Sequence, residues 1–485
     1  MNTEKILING EWLEGTVFSQ KISPFDSRII YEFVETDTDL VNNAVLSARA
    51  AFQRWKFVDI ENRKLLFRKF IEVLNANKET IVENIHLDMG KPKVEADIEV
   101  VETIDIINFY INSEYPELKK QKVEINTEIW THKEAFQYRV PIGVFALVKP
   151  WNYPFEIALW GIIPILLAGN TIVFKPSENT PKTGLFIGKL LMEAGFPNGV
   201  FNVITGGAKT GEILVNHRFV DAISFTGSIK TGMNIFKSLS KIKKLNLELG
   251  GNDVAIVTEN ADIDKAVSGV LWGAFSNNGQ VCTATERILI HKNIYEIFKD
   301  KLLLKVQSLR PNIDFGPVVN ETIMNKVLGQ INDSVSNGDK LLIGGKRIEG
   351  ENFLNGFYLE PCVVETSSFK SLLWREETFG PVVIITCYET IEEAVDLSNS
   401  LDYGLGASVW TENRKEAFEI TDNLDCGMVW INEVNLPLPE LAWCGMKQSA
   451  IGINLSRNAV IEATNLKVIQ YDNDKENRVW WFPYK

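Results

Sequence analysis

Between residues 144 and 257, short apolar runs of β character (VFALV, TIVF, VFNVI, DAISF, LNLEL, VAIV) alternate with segments whose apolar residues recur at helical spacing. Few arrangements accept that pattern. Strands that read as near-continuous apolar runs are buried on both faces, and parallel strands need long crossovers, usually helices. The stretch therefore predicts an α/β fold built on a parallel sheet. Its punctuation agrees: Thr180 before Pro181 reads as an N-cap with proline at the first helical position, and Gly195 with Pro197 closes that helix.

The alternation resumes after Ala261 with ERILIHK, GFYLEPCVVE, PVVIITCYE, GASVWT and GMVWIN, which predicts a second α/β domain. The first 120 residues read as more helical, most clearly over 39–52 and 61–74. Residues 121–139 alternate and predict a hairpin, which is marginal alone and is expected to pair with another segment or subunit. A chain of 485 residues with 45% apolar residues has room for two or three cores.

Composition narrows the function. A net charge of −13 repels phosphate backbones and argues against nucleic-acid binding. The five cysteines are odd in number and lack metal-ligand spacing, and the four histidines are scattered, so no metal site is expected and a reducing compartment is. The N-terminal MNTEKILINGEW carries charge too early for an export signal. The longest apolar stretch, 155–168, is interrupted by Glu156 and Pro164 and falls short of the roughly 20 residues that span a bilayer. It reads as a buried helix, and the expected location is the cytoplasm.

Three short segments carry candidate chemistry. Asn-Gly-Gln-Val-Cys at 278–282 presents a cysteine after a glycine turn. Glu-Leu-Gly-Gly at 248–251 places a carboxylate at a strand end, where ligands approach α/β sheets. Pro-Trp-Asn-Tyr-Pro at 150–154 fixes an asparagine in a rigid turn after a strand. Singly, each reads as an inert core thiol, a solvated carboxylate or a packed loop. Together they supply a nucleophile, a general base and an amide donor for an oxyanion.

With these segments in view, the chain resembles the aldehyde dehydrogenase superfamily over nearly its whole length. The resemblance rests on YRVPIGVFALVKPWNYP at 138–154, FKPSENTP at 174–181, FTGSIKTG at 225–232, LELGG at 247–251, GQVC at 279–282 and EETFGPV at 376–382, and on the 34-residue step from Glu248 to Cys282. It implies a Rossmann-like cofactor domain over 1–120 and 140–250 and an α/β catalytic domain over 251–447. It also implies a small β oligomerisation arm over 121–139 and 463–485, joining a homodimer or homotetramer.

The resemblance further implies NAD-dependent oxidation of an aldehyde to an acid. Cys282 attacks the aldehyde carbon, Asn152 and the Cys282 N–H hold the oxyanion, and Glu248 activates water against the thioester. Lys175 and Glu178 grip the adenosine ribose, and the Glu178 carboxylate favours NAD over NADP. Gly207, Gly211 and Ser228 line the pyrophosphate region. Glu377 binds the nicotinamide ribose beside Phe379, and Trp151, Phe225 and Leu249 complete the cofactor side. Tyr153, Trp160, Val281, Thr283 and Trp443 form the aldehyde pocket.

The chain departs from the family in two places. A GGxKxSGxGR-like run is replaced by Cys444-Gly445-Met446-Lys447-Gln448-Ser449-Ala450-Ile451-Gly452-Ile453, and Lys149 precedes the catalytic turn where less polar residues are common. The pocket aromatics resemble the betaine-aldehyde and aminoaldehyde branch, except that the position of a fourth ring holds Ser276. A cationic aldehyde and an apolar or aromatic one are equally expected. The rival readings are a succinate-semialdehyde-type enzyme, a CoA-acylating semialdehyde dehydrogenase and a catalytically silent homologue.

Overall fold

Along Val144–Val148 successive side chains point to opposite faces, and both faces are buried. Phe145 and Leu147 join a core with helices Ile60–Met89, Lys93–Asn112, Glu156–Leu167 and Pro181–Glu193; Val144 and Ala146 join a second core on the other face with helix Thr38–Trp55. This two-sided burial is why the strands carry no polar alternation. The computed structural model describes residues 3–476, 478 and 480–483; residues 477, 479, 484 and 485 of the expected arm, and residues 1 and 2, lie outside the described residues.

The fold is mixed α/β, with two large sheets. The first is eight-stranded, in the order Ala450–Ile451, Lys244–Glu248, Ala222–Thr226, Val144–Val148, Thr171–Lys175, Phe201–Val203, Ile6–Ile8, Glu11–Leu13. Its central strands are parallel, and antiparallel pairs close both edges. The second is seven-stranded, in the order Lys340–Ile343, Cys362–Glu365, Val382–Tyr388, Thr285–His291, Asp253–Val257, Gly406–Trp410, Met428–Ile431, parallel except at its first pair.

Three expectations need correction. Periodicity alone groups the VAIV run with the first sheet, yet Asp253–Val257 sits in the centre of the second, on the far side of the 250/251 boundary that the resemblance implies. The turn at 249–252 carries the chain from one sheet to the other, and buried strands of either sheet look alike in sequence. The N-terminal region is not chiefly helical at its start: Ile6–Ile8, Glu11–Leu13, Phe18–Ile22 and Ile29–Val34 are strands. These are short and, apart from the buried Ile6–Ile8, partly exposed, so their pairing partners decide their conformation. Thr180 stands at the N-cap position, but its hydroxyl is buried without a partner among the described residues. Asp88, from helix Ile60–Met89, serves that helix start instead, accepting from the Thr183 N–H at 2.9 Å and hydroxyl at 2.7 Å.

The strand Lys133–Pro141 pairs antiparallel with both Gln121–Val123 and Thr464–Asp472, forming a small separate sheet. Leu466 and Val468 on its last strand are 54% and 68% exposed, an apolar edge open to further contact.

Candidate active site

The two large sheets meet at a cleft with Cys282 at its base. Helix Ile263–Phe275, buried along one face, runs into the turn that carries the cysteine. There Asn277, Asn278 and Gly279 take φ of 47°, 58° and 70°, three consecutive left-handed residues. Asparagine tolerates that region and glycine favours it. A Cβ on Gly279 would lie 2.1 Å from the Gly380 carbonyl oxygen, so glycine is required there. Gln280 locks the turn: its amide donates to the Asn277 carbonyl at 2.9 Å, and its side-chain oxygen accepts from the Val319 N–H at 2.8 Å.

Burial pushes the half-buried Cys282 thiol up, and the carboxylates of Asp253, Glu248 and Glu377 act the same way, while the Thr283 N–H opposes them. The resting sulfur is therefore a thiol, and a nearby base or a bound cation-bearing group is needed to ionise it.

Asn152 is 2% exposed at the end of strand Val144–Val148. Its backbone carbonyl accepts from the Asn277 side chain at 2.9 Å, which ties the Asn152 turn to the Cys282 turn. Glu248 ends strand Lys244–Glu248, and neither of its carboxylate oxygens has a hydrogen-bond partner among the described residues. Burial pushes its carboxyl well above the usual range, with Lys149 pulling it back. Glu248 is thus a buried, unpartnered carboxyl in electrostatic reach of the Cys282 thiol, a candidate for proton transfer.

Two cavities open on Cys282 from opposite sides. The first is about 160 Å³ and includes Trp151, Asn152, Ser228, Leu249, Glu377 and Phe379. Trp151 and Phe379 meet edge to face at 5.4 Å between centroids. The Glu377 carboxyl, pushed up to about 7 by burial with Lys326 opposing, accepts from the Gly251 N–H at 3.2 Å. Ser228 caps helix Ile229–Ser238, accepting from the Thr231 N–H at 3.3 Å. Lys175 and Glu178 lie outside this cavity at the neighbouring strand end and pair at 3.7 Å. Gly211 sits beside Lys175, with an added Cβ 3.6 Å from its Cδ. Gly207 offers no free N–H, because Glu35 accepts it at 2.8 Å. Phe225 is 5% exposed in the core beneath the turn.

The second cavity contains Tyr153, Trp160, Val281 and Trp443. Trp160 and Trp443 are 5.0 Å apart between centroids. Thr283 is buried and does not line this cavity; its backbone N–H favours the Cys282 thiolate. Ser276 lines the cavity, and Trp272, 48% exposed and not anticipated from the sequence, adds a ring at its mouth.

Sequence reading also missed the carboxyls Glu95, Glu102 and Glu156 and the amide of Asn435, all in this lining. Glu95 accepts from the Asn277 N–H at 3.0 Å, and burial pushes it up to about 7. Glu156 accepts from the Trp160 indole at 3.1 Å and is raised by burial together with Glu102 and Glu99. Asn435 is buried with both side-chain polar atoms unpartnered among the described residues. The spacing of Glu95, Glu99 and Glu102 along helix Lys93–Asn112 was a readable signal of one acidic face.

The altered 444–453 loop proves structural. Ala450 and Ile451 pair antiparallel with Glu248 and Leu247, extending the first sheet at the strand that carries the carboxylate. Ser449 binds Gly250 through its hydroxyl at 2.8 Å. Ile451 is 49% exposed and lines neither cavity.

A fold of two largely parallel sheets, with a cysteine and an asparagine in one cavity lining and a buried carboxyl at a neighbouring strand end, has the layout of an α/β enzyme with a thiol in its cleft. The aldehyde dehydrogenase family profile matches residues 12–469, and the chain belongs to that family. It is 34% identical to a betaine aldehyde dehydrogenase of Bacillus subtilis, covering 99% of each chain, and 32% identical to a peroxisomal aminoaldehyde dehydrogenase of Pisum sativum, covering 100% of this chain and 98% of that one. It also resembles a solved betaine aldehyde dehydrogenase of Staphylococcus aureus in complex with NAD+, with a TM-score of 0.95 at 29% identity over 99% of this chain and 96% of that one.

Proposed function

We propose that this enzyme oxidises an aldehyde that carries a primary ammonium group, using NAD as hydride acceptor. The family, the relatives' names and the geometry around Cys282 support the reaction. The Cys282 thiol releases its proton to solvent water as its sulfur bonds to the aldehyde carbon, and the Asn152 amide and the Cys282 N–H hold the oxyanion that forms from the carbonyl. Loss of hydride leaves an acyl thioester on Cys282. Glu248 takes a proton from water as its oxygen bonds to that carbon, and the C–S bond breaks to free the acid.

The cleft fits the cofactor. Its floor is Gly250, where an added Cβ would lie 2.6 Å from the Glu377 carboxylate, so only a glycine leaves both that wall and the cleft clear. Bound NAD supplies the hydride-accepting ring. Glu377 is placed to hold a ribose beside Phe379, and the helix starting after Ser228 turns its N-terminus toward the cleft, favouring a pyrophosphate. Glu178 at 53% side-chain exposure is free to accept from a ribose hydroxyl and disfavours a 2′-phosphate, so NAD is preferred to NADP.

The observation that carries the substrate reading is the union of aromatic rings with carboxyls in one cavity: Tyr153, Trp160, Trp272 and Trp443 with Glu95, Glu102 and Glu156. Rings attract a cation, by about 0.5–2 kcal/mol each. Carboxylates and the idle Asn435 amide reward a cation that can donate N–H bonds, which a quaternary ammonium lacks. Among the described residues, no lysine or arginine lines this cavity to meet an anionic tail: Lys91, over the Tyr153 ring at 3.5 Å, is paired with Glu99 at 2.6 Å. The sheet carrying exposed Leu466 and Val468 supports pairing with a second copy, within the homodimer or homotetramer, and the free thiols support a reducing, cytoplasmic setting.

The test is a panel of 4-aminobutanal, betaine aldehyde, hexanal, benzaldehyde and succinic semialdehyde, read as NADH formation, with NADP in parallel. 4-Aminobutanal should show the highest kcat/KM, and NAD the higher efficiency. A best rate with succinic semialdehyde, or with hexanal, refutes the cationic reading.

A further inference from the structure

Lys149 stands out in sequence as a cation placed just before the catalytic turn, and the reaction as written gives it no part. In the structure it is 2% exposed. Its position follows from strand register. Val148 pairs with Phe225, and Thr226, the next residue on that strand, pairs with Glu248. Thr226 and Glu248 therefore end two adjacent parallel strands, and Lys149, the residue just past Val148 on the third, falls in the same row. The Lys149 ammonium donates to the Thr226 hydroxyl at 2.9 Å, which aims it along this row toward Glu248.

Space for it is reserved by helix Glu156–Leu167. A Cβ on Gly161 would come 3.1 Å from the lysine Cε and 2.7 Å from Leu147 Cδ1, so a larger residue there would press on the lysine stem. A fully buried lysine beside an unpartnered buried carboxyl is costly unless each serves the other.

We propose that Lys149 is a positioning residue for water activation, the buried counter-charge, tethered by Thr226, that keeps Glu248 ionised for hydrolysis of the thioester. The proposal rests on the reading of Glu248 as base. Burial pushes Lys149 down to about 7, with the Glu248 carboxylate raising it; the same burial pushes Glu248 up, with Lys149 lowering it. The remaining titratable groups facing Glu248 are the thiols of Cys282 and Cys444, both raised by it. Helix Glu156–Leu167 presents Gly161 to the lysine. Each charge thus favours the other, and removing the ammonium raises Glu248 further. The protonated, idle form of the base then persists to higher pH.

The test uses the intact enzyme with NAD and its best aldehyde. Lys149→Met matches the stem in size and removes the charge. The pre-steady-state burst of NADH should survive, because thioester formation precedes water activation. Steady-state kcat at pH 7 should fall at least tenfold, and the acid limb of the kcat–pH profile should move up by at least one pH unit. Thr226→Val should move the limb the same way by less, and Thr226→Ser should restore it. An unmoved limb in Lys149→Met overturns the proposal; should that variant not fold, an unmoved limb in Thr226→Val does so. If Glu248→Gln stalls after its burst while Lys149→Met turns over like the parent, the base stands and only the lysine's role is lost. If Glu248→Gln turns over normally, the base reading itself has failed.

Discussion

Glu248→Gln separates the two halves of the reaction. The amide keeps the shape of the side chain and cannot take a proton from water. Neither carboxylate oxygen of Glu248 has a hydrogen-bond partner among the described residues, so the exchange breaks no bond that holds the strand end. Its stability sign is set by burial, which raises the Glu248 carboxyl in the folded state. A raised carboxyl holds its proton more tightly folded than unfolded, so its contribution is present at low pH and is lost as pH rises through the folded value. Glutamine has no such loss. The variant should therefore melt at or above the parent's temperature at pH 8, by an amount on the order of 1–3 kcal/mol for an unpaired buried polar group. Lys149 loses its counter-charge but is already pushed down to about 7 by burial, and it keeps Thr226 as an acceptor at 2.9 Å. Catalysis should change far more than stability. A general base contributes roughly 10²–10⁴-fold, so steady-state turnover should drop by that factor. Stopped-flow absorbance should still show one NADH per active site in the first turnover, and Cys282→Ser should abolish that burst. Turnover at the parent's rate in Glu248→Gln would show that another group activates water; a missing burst would show that Glu248 is needed before the thioester forms.

Two further outcomes follow from the same geometry. Burial holds Glu95 at about 7, so it is neutral below and charged above that pH. For an ammonium-bearing aldehyde, kcat/KM should rise through pH 7 relative to hexanal, and Glu95→Gln should flatten that ratio; a ratio that does not change with pH in the parent contradicts a charge contact at Glu95. Gly279→Ala places a Cβ 2.1 Å from the Gly380 carbonyl oxygen at a φ of 70°. A side chain in that backbone region costs about 1–2 kcal/mol before any overlap, and a nucleophile displaced by about 1 Å can lose 10²-fold. The variant should fold by circular dichroism with kcat down about 100-fold; an unchanged kcat would mean the turn does not set the position of Cys282.

The sequence alone determined the α/β class, because strands buried on both faces must be apolar throughout and parallel strands must be spaced by helices. It also singled out Cys282, Glu248 and Asn152 as candidates, because each stands at a turn or strand end whose neighbours, glycines and prolines, leave few conformations. The tertiary structure showed which sheet Asp253–Val257 joins, which periodicity could not, since a buried strand carries no mark of its neighbours. It placed the substituted 444–453 loop as an edge strand beside Glu248 instead of in a substrate wall, because strand pairing there runs through backbone groups that a change of side chain leaves intact. It gathered Glu95, Glu102 and Glu156 from two helices around four aromatic rings, a contact between segments remote in sequence. And it turned Lys149 from an anomaly into a neighbour of Glu248, because adjacency across a parallel sheet is set by register, which a one-dimensional pattern does not contain.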